Sequence, residues 1–84
     1  MNEDPDVKLL EQNALYDKLI HQKALLERKL REIDQSQSKE DIKKIHDDLQ
    51  EKLKKNQENL TMNKDWIKYY TSIKIIRLLK SFPH

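Results

Sequence analysis

The sequence predicts an all-α protein: an antiparallel helical hairpin of the coiled-coil kind, or an elongated three-helix arrangement. Three observations carry this. There is no Gly, and the two Pro stand near the ends, at Pro5 and Pro83. Glycine supplies the positive-φ positions of hairpin turns, phosphate loops and strained catalytic turns, so β-meanders and Gly-rich nucleotide loops have little to be built from. The composition is dominated by helix formers, Leu, Lys, Glu and Gln among them. Finally, apolar residues recur at alternating intervals of three and four, the period of a coiled-coil seam.

Eighty-four residues make a single domain, 1–84. Charged residues are 38% of the chain and the mean hydropathy is −1.02, so a compact core is hard to build at this size. No Cys is present to staple it. The N-terminal stretch "MNEDPDVKLL" is acidic and shows neither the basic nor the apolar part of a secretory signal. The expected setting is therefore cytoplasmic or nuclear, and neither secreted nor transmembrane.

Helix 1 is expected over about 5–34. Asp4 can cap it, Pro5 suits the first helical position and Asp6 complements the positive end of the dipole. Its seam reads Leu9, Gln12, Tyr16, Leu19, Lys23, Leu26, Leu30, Ile33. Gln12 and Lys23 interrupt it; a polar residue at such a position costs stability and can fix register or oligomer state. The stretch "DQSQSKED" (34–41) is the clearest break, with Ser38 and Asp41 spaced as a loose capping box.

Helix 2 is expected over about 39–62, with a narrower seam of Ile42, Ile45, Leu49, Leu53 and Leu60. Between the last two, "KKNQEN" is wholly polar and Asn56 occupies the seam, so fraying is expected there. A softer break falls at "LTMNKDW" (60–66), where Asn63 can cap a helix 3 over about 64–82. Pro83 ends it.

The last segment carries two apolar stripes at ~100° per residue. Trp66, Tyr69, Ile73 and Ile76 form one, with Tyr70 at its edge. Ile67, Ile75, Leu78, Leu79 and Phe82 form the other, and Lys74, Arg77 and Lys80 lie between them. Helix 1 can cover one stripe. Residues 39–82 unbroken span about 66 Å against about 45 Å for helix 1, so a plain hairpin leaves its last turns uncovered. Leaving five large side chains exposed forfeits roughly 10 kcal/mol, comparable with the whole stability of a small domain.

Charge divides the same way. Residues 1–65 hold thirteen basic and fifteen acidic side chains, net −2; residues 66–84 hold four basic and none acidic, net +4. The expectation is a non-enzymatic subunit that assembles with a protein partner, as a homo- or hetero-oligomer. The expected interface is Trp66, Tyr69, Tyr70, Ile73, Ile76, Leu78, Leu79 and Phe82, with Lys68, Lys74, Arg77 and Lys80 as basic contacts. The competing reading is a membrane surface or a nucleic acid bound through the basic, aromatic-bearing tail.

Catalysis has little to stand on. His46, Asp47, Asp48 and Glu51 cluster in "HDDLQE", yet His46 and Asp47 diverge by about 100° on a helix, and no HExxH or EF-hand pattern is present. Ser36, Ser38, Ser72 and Ser81 lack a His–acid arrangement or a Gly-built oxyanion turn. No catalytic residue, cofactor, metal site or small-molecule substrate is expected.

Overall fold

The computed structural model describes residues 4–33 and 37–81. Two helices account for nearly all of them: α1 (Pro5–Arg31) and α2 (Lys39–Ser81), of 27 and 43 residues. They fold back on one another as an elongated hairpin of 71 × 21 × 14 Å. Among the described residues there is no strand.

The start of α1 follows from three consecutive residues. Asp4 is extended and its Oδ1 accepts the Asp6 backbone N–H at 2.9 Å. Pro5 fills the first helical position, where no N–H is needed. Asp6 sits in the positive first turn, and Arg28, Lys29 and Arg31 sit in the negative last one. The α1 helix ends three residues before the expected boundary, with the Glu32 N–H donating to the Arg28 and Lys29 carbonyls at 3.0 and 3.3 Å. At the start of α2 the Ser38 Oγ accepts the Asp41 N–H at 3.2 Å, which satisfies one orphan donor of the first turn.

Two bonds set the register of the hairpin. The Asn56 Nδ2 donates to the Leu19 carbonyl at 3.0 Å, and the Asn63 Nδ2 donates to the Gln12 carbonyl at 2.8 Å. The two asparagines are seven residues apart, and so are Leu19 and Gln12. Another seven residues along each helix bring Leu26 opposite Leu49 in one direction and Pro5 opposite Tyr70 in the other. All four are buried. A seven-residue step returns to the same face of a coiled-coil helix, so this layering is what the heptad period requires.

Among the described residues there is no third helix. The α2 helix runs unbroken through residues 60–66, so the segments expected at 39–62 and 64–82 are one element. Asn63 does not cap: it is 1% exposed and turned into the seam. A cap residue must leave helical geometry, which would break the seam that continues through half-buried Ile67 to Tyr70. The expected weak stretch is likewise helical, with Asn56 3% exposed and Leu60 buried.

Candidate interaction surface

Pro5 is the first residue of α1 and stands opposite Tyr70, so residues 71–81 of α2 run past that end of α1. At ~1.5 Å per residue this is about 16 Å of helix. The hairpin therefore has a two-helix body and a one-helix end. At the junction the Lys74 ammonium reaches back to Asp6 Oδ1 at 2.9 Å. That hydrogen bond, with the attraction of the Asp6 charge second, raises the Lys74 pKa above its ordinary 10.5.

On α2 the face toward α1 is carried by Leu49, Leu53, Asn56, Leu60, Asn63, Ile67 and Tyr70 in heptad spacing, each buried or half-buried. Tyr70, expected at the partner interface, is 7% exposed and belongs to this face. Ile67, grouped above with Ile75, Leu78, Leu79 and Phe82, belongs to it as well. Ile45 is exposed instead, because it lies to one side of the line from Ile42 to Leu49. On α1, Leu19 and Leu26 are buried, and Leu9, Gln12, Tyr16, Lys23 and Leu30 are half-buried, as is Ile33 just past its end.

A second stripe on α2 is left outside. It runs Met62, Trp66, Tyr69, Ile73, Ile76, again at intervals of four and three. Trp66 is 44% and Tyr69 53% exposed; Met62 and Ile76 are about as open, and Ile73 is half-buried. The sequence reading missed Met62, although the same four-residue step that leads from Tyr69 to Ile73 leads from Met62 to Trp66.

The aromatic rings of this region form one cluster. The Trp66 ring stacks on Tyr70 with centroids 5.6 Å apart and planes at 21°. It meets Tyr69 edge-on at 5.7 Å, and Tyr69 meets Tyr70 edge-on at 5.2 Å. Offset-stacked and edge-to-face pairs are the favourable geometries for such rings. Buried Tyr70 thus holds one face of Trp66, which restricts its rotamers before any partner arrives.

Past Tyr70, Ile75, Ile76, Leu78 and Leu79 are all about half exposed or more. At ~100° per residue Ile75, Ile76 and Leu79 lie off the α1-facing line, whereas Leu78, eleven residues after Ile67, falls on it and is exposed because α1 does not extend that far. That line also runs through Lys74. Lys68, Lys74, Arg77 and Lys80 are all exposed; the last three follow one another at intervals of three on one side of the helix, and Lys68 lies apart from them. Phe82 lies outside the described residues.

Among the described residues no three His, Asp or Glu side chains converge as metal ligands. The His46 Nδ1 is 3.7 Å from Asp47 Oδ1, and both side chains are exposed. A concavity of about 510 Å³ is an open groove along the helix–helix junction, lined by Asn13, Tyr16, Thr61, Lys64, Asp65, Ile67 and Lys68. No described helix is long and apolar enough to cross a membrane.

No protein-family model, curated protein or solved structure matches this chain.

Proposed function

We propose that this protein is a non-enzymatic assembly subunit, a helical hairpin that offers the outer stripe of α2 to a protein partner. The observation behind this is the stripe itself. Met62, Trp66, Tyr69, Ile73 and Ile76 repeat the spacing that α2 uses against α1, on a face that α1 does not reach. Heptad spacing is what a helix needs to receive another helix, and large aromatics are the side chains that dominate interface energetics.

The magnitude favours an occupant. A large apolar side chain is worth ~2 kcal/mol when fully buried, so five that are about half exposed leave roughly 5 kcal/mol unrealised. Monomers tolerate scattered exposed apolar residues, but a contiguous stripe marks an interaction site. The test is a photo-crosslinking residue at position 66 of the full chain in its own cells. A protein adduct that disappears with Ile73→Asp supports the reading. No protein adduct, or one indifferent to that substitution, rejects it.

A second reading has its own support. The α2 end has no acidic residue after Asp65, and its basic side chains alternate with Ile75, Ile76, Leu78 and Leu79. Such a helix end suits an anionic membrane surface or a nucleic acid. Against it, Lys74 is held by Asp6, and the exposed surface there is mostly Ile and Leu. Flotation with anionic vesicles and oligonucleotide binding, each at low and high salt, separate the two readings; absence of binding at low salt rejects this one.

A further inference from the structure

We infer that the occupant of the outer stripe is a second copy of this chain, packed antiparallel about a two-fold axis at Tyr69. The inference rests on the reading just given, that the stripe is a protein interface. The stripe is close to symmetric about Tyr69: Met62 lies seven residues before it and Ile76 seven after, Trp66 three before and Ile73 four after. Antiparallel pairing then sets Met62 against the second copy's Ile76, Trp66 against the second copy's Ile73, and Tyr69 against its own likeness. A two-fold contact is isologous, so the same patch must complement itself, and this one does in the spacing of its apolar residues.

Charge is arranged in the same way. Glu58 stands eleven residues before Tyr69 and Lys80 eleven residues after it. Each end of the antiparallel overlap therefore brings a carboxylate level with an ammonium, which fixes register and direction. A parallel pair would place Lys80 beside Lys80 and Glu58 beside Glu58.

Length fits as well. The overlap of residues 58–80 is about 35 Å of helix at ~1.5 Å per residue. Residues 71–81, which run past their own α1, come level with residues 57–67 of the second copy, where that copy does have an α1. Each copy's second helix thus supports the other's single-helix end. The exposed Leu15 of α1, level with Leu60, faces this region.

The experiment uses the full chain, which has no Cys, so that one introduced cysteine is unique. Sedimentation equilibrium should give a discrete dimer. Under oxidation Tyr69→Cys should cross-link to itself, while Met62→Cys should not, since its own likeness lies fourteen residues or about 20 Å away. Glu58→Lys and Lys80→Glu should each weaken the dimer about threefold or more, and the two together should restore it. Circular dichroism on each variant checks that the helices remain.

Four outcomes overturn the inference: a monomer at every concentration, equal cross-linking at 62 and 69, open-ended aggregation, or a charge swap without rescue. The broader reading fails separately. A monomer that still gives a protein adduct at position 66 in cells removes only the second copy. A monomer that gives no such adduct and floats with anionic vesicles removes both and assigns the stripe to a lipid surface.

Discussion

The Asn63 Nδ2 donates to both oxygens of Gln12 across the hairpin, to the backbone carbonyl at 2.8 Å and to the side-chain Oε1 at 2.9 Å. Seven residues earlier the Asn56 Nδ2 does the same with the Leu19 carbonyl and, at 3.3 Å, the Gln22 Oε1. The Oδ1 of each asparagine is buried without a protein partner. Two amides therefore stand in a seam where Leu would give more burial.

Replacing both asparagines by Leu should raise stability and lower uniqueness. The α1 carbonyls they bond are already acceptors within their own helix, so little is left unsatisfied. A gain of about 1 kcal/mol or more in urea unfolding is expected, with doubled or broadened amide resonances as the register loosens. A loss of stability would mean that the amide bonds outweigh the burial.

Leu60 lies at the centre of the seam and is nearly inaccessible, whereas Leu10 on the outer face of α1 is largely exposed. Leu60→Ala should cost ~3 kcal/mol and Leu10→Ala less than about 0.5 kcal/mol in the same unfolding assay. Similar costs at both positions would contradict the assignment of faces.

The cap of α1 should be worth measuring by itself. Asp4→Ala removes the acceptor for the Asp6 N–H and should cost about 1 kcal/mol, seen as a lowered thermal midpoint. Asp4→Asn keeps the acceptor and should recover most of it. An Asn variant as unstable as the Ala variant would make the cap a charge effect only.

The Lys74–Asp6 bond makes a pH-dependent contribution of definite sign. Because the folded pKa of Lys74 is raised, the contribution is complete below 10.5, its ordinary value, and is lost as pH rises through the folded value. The midpoint advantage of the parent over Lys74→Met should therefore persist at neutral pH and fade in the alkaline range above 10.5. It should also shrink in concentrated salt, since both side chains are exposed. An advantage that grows with pH would exclude this bond as its source.

Much of the hairpin is local and was legible for that reason. Asp4, Pro5 and Asp6 act within one turn of the chain, and the heptad line from Leu9 to Ile33 needs only helical periodicity. The break at Asn63 was misjudged because its side chain has two uses. An asparagine can satisfy its own helix end or donate to another strand of chain, and the choice depends on what stands opposite. Gln12 stands there, and no local rule brings together residues fifty-one positions apart.

By itself the sequence determined the all-helical class, the return of the chain after the first helix and the presence of two apolar stripes in residues 66–82. The tertiary structure alone decided that the second helix does not break, and that its inward line takes Ile67 from one stripe and Tyr70 from the edge of the other. Trp66 and Tyr70 are separated by one helical turn and are equally apolar to a periodicity argument. Tyr70 is buried because the register set by Asn56 and Asn63 places it opposite Pro5. Trp66 stays exposed because α1 is a single helix and can cover only one side of α2.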